Sequence, residues 1–322
     1  MYSLLIRNRS RHFRSNSKIP NLPTMTGSRL ESKDFQHLLT PPLLHLEGLF
    51  NRRGYSLRLV GGCVRDLLLG VKPKDVDLAT ECTPVEMVDM FEAANIRHIP
   101  TGMQHGTVTV HIKESMTDYE ITTLRVDRET DGRHAVVDFT TDWRLDAERR
   151  DLTINAMSLD LRGNLYDYFD GQKHLAERRI VFVGDPVTRI KEDYLRILRY
   201  FRFYGRLVRE DGRHEPVNMH AIRTLAPGLR NISVERIWME MSRILTGRLA
   251  PHLVRVMYET GVAESIGGLS HCGLHGLSAC GMHANRVASL HVILPCLPMQ
   301  HPGYISHSPS GTDYKRWPLL IN

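Results

Sequence analysis

Hydrophobic positions along the chain change their period several times, and each change marks an element. Around residues 38–50, Leu38, Leu43, Leu46, Leu49 and Phe50 recur at helical spacing despite Pro41 and Pro42, which predicts a helix there. A short apolar run, Leu57–Val60, predicts a strand that ends in Gly61-Gly62 and leads into a helix over Val64–Leu69. Val76 and Leu78 alternate with Asp75 and Asp77, the pattern of a second strand. Thr83-Pro84 opens the next helix, with threonine as cap and proline at the first helical position. Gly106–Ile112 and Tyr119–Leu124 alternate as strands, and the polar stretch 126–138, with Gly132 inside it, predicts a mobile loop. Helical spacing then takes over through Val187–Tyr204, Asn218–Leu225, Ser233–Leu245 and Pro251–Tyr258, with Ser233 reading as a helix start and Gly247 as a stop.

Four pieces follow from this pattern. Residues 31–172 form an α+β unit, a small mixed sheet with helices on one side, and residues 173–266 are helical. Residues 267–322 keep neither period, carry only Arg286, Asp313, Lys315 and Arg316 as charges, and read as irregular. Residues 1–30 are rich in Arg and Ser and contain no acid, the composition of a mitochondrial presequence. Met25 is a second start site whose product would stay cytoplasmic or nuclear. No apolar stretch reaches the roughly 18 residues of a membrane span, so no membrane association is expected. Five scattered cysteines exclude a disulfide scaffold and suggest a reducing compartment.

Charge refines the partner question. The 42 Lys and Arg exceed the 36 Asp and Glu by six, and six basic residues lie within residues 1–30. Residues 31–266 hold 33 basic and 35 acidic side chains, a net −2. A polyanionic partner must therefore be met by a local patch or a metal, not by the field of the whole chain.

Three motifs carry chemistry. In the first, Gly61-Gly62-Cys63-Val64-Arg65-Asp66 precedes Lys74-Asp75-Val76-Asp77. Carboxylates at i and i+2 on a strand share a face and can hold divalent cations, while the glycines let phosphate oxygens approach the backbone. The plain alternative is a turn beside the solvent face of an edge strand. In the second, Arg149-Arg150-Asp151-Leu152-Thr153-Ile154-Asn155, a helix would place Asp151 and Asn155 on one face toward a ribose hydroxyl, with the arginines on phosphates. The alternative is a helical turn with solvated charges, Asp146, Glu148 and Arg149. In the third, Glu192-Asp193-Tyr194-Leu195-Arg196, Asp193 and Arg196 at i and i+3 form an acceptor and donor suited to a base edge. The alternative is a surface ion pair worth a few tenths of a kcal/mol.

In their order and spacing, GGCVRD…DVD, RRDLTINA and EDYLRILRYFRF resemble the class II CCA-adding enzymes, the tRNA nucleotidyltransferases, and the likeness runs through YDYFDG (residues 166–171) and Glu235-Arg236-Ile237 over about residues 50–265. It is close to the vertebrate mitochondrial type. The resemblance implies a polymerase-β-like catalytic head followed by an α-helical neck. It implies Mg²⁺, as a two-metal site, on Asp75 and Asp77, with Glu120 as a third acidic neighbour. Gly61, Gly62, Arg65, Arg149, Asp151 and Asn155 would hold triphosphate and ribose, and Glu192, Asp193 and Arg196 would select CTP or ATP. The implied reaction is addition of CCA to the 3′ end of tRNA from CTP and ATP, and a homodimer is compatible with it. The likeness stops near Ser265, where family members continue in helices. Weakened tRNA binding is expected from that departure, and a catalytically impaired splice product is one rival reading. A poly(A) polymerase of the same superfamily is the other.

Overall fold

The computed structural model describes residues 25–26, 29–112, 117–130, 135–209 and 212–267. Of the expected presequence only residues 25–26 and 29–30 are described, and of the expected irregular tail only Gly267; the rest of both lies outside these residues. Strands β1 (Met25–Thr26) and β2 (Arg29–Leu30) pair as a short ribbon. Helix α1 (Lys33–Leu38) is followed by α2 (Pro41–Arg52), whose cap Thr40 accepts the amide of Leu43. Pro41 stands at the first turn, where its missing N–H has no helical partner to lose, so the two prolines start a helix rather than break one.

A seven-stranded mixed sheet organises residues 57–166. In chain order its strands are β3 (Leu57–Val60), β4 (Asp77–Thr80), β5 (His98–Gly102), β6 (Thr107–Ile112), β7 (Thr117–Thr123), β10 (Ser158–Asp160) and β11 (Leu165–Tyr166). Their order across the sheet is β11-β10-β3-β4-β7-β6-β5. Every pairing is antiparallel except the parallel central pair β4/β7. Helix α3 (Gly62–Leu68) joins β3 to β4, and α4 (Pro84–Ala93) follows β4. Thr83 caps α4 as expected, in a reciprocal box with Glu86. Alternation does the burying: along β6, Val108, Val110 and Ile112 face the core while Thr107, Thr109 and His111 stay partly exposed. Leu59, Val64, Leu67, Leu78, Phe91 and Ile121 are all buried.

Two expectations change here. Residues 126–138 are not simply a loop, because β8 (Arg125–Thr130) and β9 (Ala135–Phe139) pair as an antiparallel ribbon. A register shift between Asp127 and Glu129 interrupts the alternation that would have revealed it. The helix expected over Val187–Tyr204 is two helices, α7 (Pro186–Glu192) and α8 (Leu195–Leu207). Between them Asp193 is extended (φ −154°), and its carboxylate accepts the amide of Leu195 at 3.1 Å, a local bond that competes with helix continuation.

Helices α5 (Trp143–Glu148) and α6 (Gly171–Ala176) flank the last two strands of the sheet. After α8 come α9 (Pro216–Leu225), α10 (Val234–Leu245), α11 (Ala250–Glu259) and α12 (Val262–Ser265). Ser233 takes the cap position of α10, but its side chain makes no capping bond. Among the described residues no helix is long and apolar enough to cross a membrane.

Candidate active site

The cleft begins at the turn between β3 and α3. Gly61 has φ +68°, a conformation that favours glycine, and a Cβ there would lie 2.9 Å from Nη1 of Arg150, which would have to shift. One turn into α3, the buried Arg65 donates through Nε to Asp66 Oδ1 (2.9 Å) and through Nη1 to Asn155 Oδ1 (2.6 Å). Arg65 therefore ties the glycine turn to the second motif. Asp66 also accepts from Nη2 of Arg206 at 2.9 Å.

Strand β4 begins at Asp77, so Asp75 sits on the bend before it rather than on the strand. Both carboxylates still line the cleft. Enclosure by the cleft is the main influence that raises the pKa of Asp77; Arg150 opposes it and the neighbouring Asp75 charge reinforces it. Glu120 lies directly across the parallel β4/β7 register from Asp77. Leu78 and Ile121, the next pair, are buried, so Asp77 and Glu120 share the exposed face. Glu120 is not among the residues that line the cleft.

The second motif is not a helix. Helix α5 ends at Glu148, and Thr153–Asn155 form a single 3₁₀ turn. That turn still brings Asn155 to Asp151, with Nδ2 donating to Oδ1 at 3.2 Å. Asp151 is buried rather than solvated, and Nε of Arg199 donates to its Oδ2 at 2.5 Å. Burial alone would push this carboxyl up, but the Arg199 charge and bond, with the bond from Asn155, outweigh it and hold the pKa at about 2. Asp146, a solvated charge in the plain alternative reading of this motif, is the buried anchor of the arginine pair. It accepts from Arg149 Nη2 at 2.7 Å and from Arg150 Nη2 at 3.2 Å. YDYFDG explains itself here as well: a Cβ on Gly171 would lie 2.3 Å from the Thr153 carbonyl, so α6 packs on the 3₁₀ turn through a glycine. Asp167 Oδ1 and Oδ2 accept the amides of Gly171 and Gln172, each at 2.9 Å.

The third motif pairs differently from its spacing. Asp193 and Arg196 do not pair with each other. Asp193 Oδ2 accepts from Arg236 Nη2 on α10 at 2.7 Å. Arg196 pairs with Glu192, and its Nη2 donates to the Arg149 carbonyl at 2.8 Å. Glu192 also accepts from Arg189 at 3.0 Å, and it does not line the cleft, whereas Asp193 and Arg196 do.

The result is one cleft of about 1120 Å³. Gly61, Gly62, Arg65, Asp75, Asp77, Arg149, Asp151, Asn155, Asp193 and Arg196 all line it, from stretches far apart in the chain. Eleven basic and five acidic side chains line it, a local +6 within a segment whose overall charge is −2. Asp75 and Asp77 are the oxygen donors that hard divalent cations take, and their mutual repulsion is the cost a cation would relieve. Among the described residues no group of three or more His, Cys, Asp or Glu side chains is clustered for a metal.

This fold and cleft define a nucleotidyltransferase head. Residues 57–181 match the family model described as the poly A polymerase head domain, and residues 215–266 match that of the probable RNA and SrmB-binding site of polymerase A. The chain is 53% identical over 240 residues to the mitochondrial CCA tRNA nucleotidyltransferase 1 of Danio rerio, covering 74% of this chain and 55% of that protein. It is 38% identical over 240 residues to the CCA-adding enzyme of Bacillus pumilus, covering 74% of this chain and 56% of the relative. The crystal structure of the Bacillus stearothermophilus CCA-adding enzyme in complex with CTP superposes with a TM-score of 0.63 at 34% identity, covering 75% of this chain and 57% of that one. The chain belongs to the class II CCA-adding enzyme family. It spans little more than half the length of the relatives it matches.

Proposed function

We propose that the cleft binds CTP and ATP and transfers their nucleotidyl groups to the 3′ end of tRNA, building CCA. The 3′-hydroxyl oxygen attacks the α-phosphorus, the bond to the bridging oxygen breaks and pyrophosphate leaves. Asp75 and Asp77 would hold Mg²⁺, which when bound polarises the attacking hydroxyl and the phosphate. Arg149 and Arg150, fixed by Asp146, neutralise phosphate charge with guanidinium forks. Gly61 and Gly62 leave the backbone open to phosphate oxygens. Asn155 offers the ribose its amide, while Asp151 acts by holding Asn155 and Arg199 in place. Asp193, held by Arg236, and Arg196, held by Glu192, present the acceptor and donor that read the base. Glu120, across the register from Asp77, would be the third acidic neighbour of the pair.

The observation that carries this reading is the convergence of three separate motifs on one positively charged cleft with a carboxylate pair inside it. The relatives named as mitochondrial, together with the acid-free, Arg-rich first 30 residues, support import into mitochondria. The test is incorporation of labelled CTP into tRNA ending at the discriminator base. Wild type incorporates label and Asp77→Ala does not; full incorporation by the variant would refute the carboxylate assignment.

A further inference from the structure

Helix α8 carries a line of arginines along one face, Arg196, Arg199, Arg202 and Arg206, all lining the cleft. At 1.5 Å per residue the line is about 15 Å long. Its first half belongs to the site described above, since Arg196 is engaged by Glu192 and Arg199 by Asp151. Its second half does not.

We propose that this second half, with α10 and the loop before β4, is a separate anion subsite formed by Lys72, Arg202, Arg206 and Arg243, and that it takes phosphodiester groups of the acceptor RNA strand. The subsite rests on the proposed function above and adds to it a place for the second substrate.

Arg202 is held from α10 by Glu240, Nη1 to Oε1 at 3.0 Å, and lies over the Phe203 ring at 4.5 Å. Only one oxygen of Glu240 is used; its buried Oε2 has no partner. Arg206 is anchored to Asp66, yet its side chain is 44% exposed. Arg243 and Lys72 are exposed, and among the described residues neither pairs with a carboxylate. Burial draws down the proton affinity of Arg202 more than any other influence; Glu240 opposes it, and Arg199 and then Arg243 push it further down. Cations gathered at this density repel one another, and a polyanion relieves that repulsion.

The chemistry at this end selects phosphate over base. Apart from Asp66, its polar side chains facing the cleft are cations, which donate only, with Val71, Gly205 and Ile244 between them. Of the carboxylates nearby, Asp66 is engaged by Arg65 and Arg206, and the unpartnered oxygen of Glu240 is buried. A base edge needs acceptors as well as donors, whereas guanidinium forks match phosphate oxygens. Such contacts fix position without reading sequence. A grip of that kind suits an acceptor strand whose sequence differs from one RNA to the next. It also explains why the cleft is larger than a single small ligand requires, since such pockets run to roughly 300–1,000 Å³.

The experiment measures two affinities on the full chain with the variant pair Lys72→Gln and Arg243→Gln, neither of which breaks a bond in the fold. Binding of a labelled RNA hairpin ending in single-stranded CC is followed by anisotropy across a salt series, and CTP binding is followed separately by calorimetry. The double variant is expected to bind the hairpin about tenfold more weakly at low salt, and the slope of log K against log salt should become shallower by about 1.4, at about 0.7 per single-strand contact. CTP affinity stays as in wild type. Unchanged hairpin affinity and slope would overturn the proposal, as would wild type that binds CTP but no hairpin. A loss of CTP affinity with hairpin binding intact would overturn it too, by making this a site for nucleotide phosphates. Wild type that binds the hairpin in the expected way but incorporates no CTP would instead refute the proposed activity and leave the subsite standing.

Discussion

Arg236 on α10 donates through Nη2 to Asp193 Oδ2 at 2.7 Å, so the residue that ends α7 is fixed by a helix 43 positions further along the chain. The carboxylate proposed to read the base is thus held by the helical region and not by its own helix. Arg236→Ala should leave Asp193 free to turn. We expect kcat/KM for CTP to fall about 10- to 100-fold, a loss of about 1.4–2.7 kcal/mol, with discrimination against UTP falling alongside. A variant that discriminates like wild type would remove Arg236 from that role.

Asp151 and Arg199 test the interior of the site. Asp151→Asn leaves the partly exposed Arg199 without its anion; because only the Asp151 end is buried, the cost should fall below the roughly 3–5 kcal/mol of a fully buried pair, at about 2 kcal/mol. Urea unfolding should show a loss of that order, and Arg199→Gln in the same chain should restore part of it. A loss under about 1 kcal/mol would mean that the pair behaves like a surface one.

His214 makes stability depend on pH. Its ring stacks on Tyr204 at 3.9 Å between centroids, and its nitrogens meet Tyr200 Oη at 3.0 Å and His252 Nε2 at 3.1 Å. Burial, then repulsion from His252, pulls its pKa down to about 4. The unfolded value is near 6.5, so the folded state favours the neutral ring. Its contribution is complete above about pH 6.5 and is lost as pH falls toward 4, by about 2–3 kcal/mol. Melting midpoints measured across that window should fall steeply for wild type and less steeply for His214→Phe. Parallel curves would contradict the assignment.

Asp77 should show a trade between stability and function. Its raised pKa means that ionisation costs the fold, mainly because the cleft partly desolvates the group although it stays exposed, and the nearby Asp75 adds to the cost. The cost is present above the raised pKa and disappears as pH falls below the ordinary carboxylate range. Asp77→Asn should therefore melt higher than wild type at neutral pH in chelator while incorporating no nucleotide. A lower melting point would show that the carboxylate supports the fold.

What could be read in the sequence was local. The Gly61-Gly62 turn and the Asp75/Asp77 pair lie within a few residues of their elements, and strands such as Thr107–Ile112 show their alternation openly. His98–Gly102 did not, because it is an edge strand containing Pro100. Strands of three and two residues, Ser158–Asp160 and Leu165–Tyr166, are too short to show a period. Spacing also misassigned partners. Asp193 and Arg196 suggested a pair at i and i+3, but their actual partners are Arg236 and Glu192. Arg206 reaches Asp66 across 140 positions, a link no local pattern carries. Asp146 was within reach, since it stands three and four residues before Arg149 and Arg150, but its burial is a tertiary fact.

The central claim is that this cleft adds a defined triplet to RNA, and sequencing the product tests it most directly. tRNA ending at its discriminator base is incubated with CTP and ATP together, and the extended 3′ ends are read. The account predicts three added nucleotides, C, C and A, and no further growth. A run of A without C, or no extension while CTP binds the cleft, would contradict it.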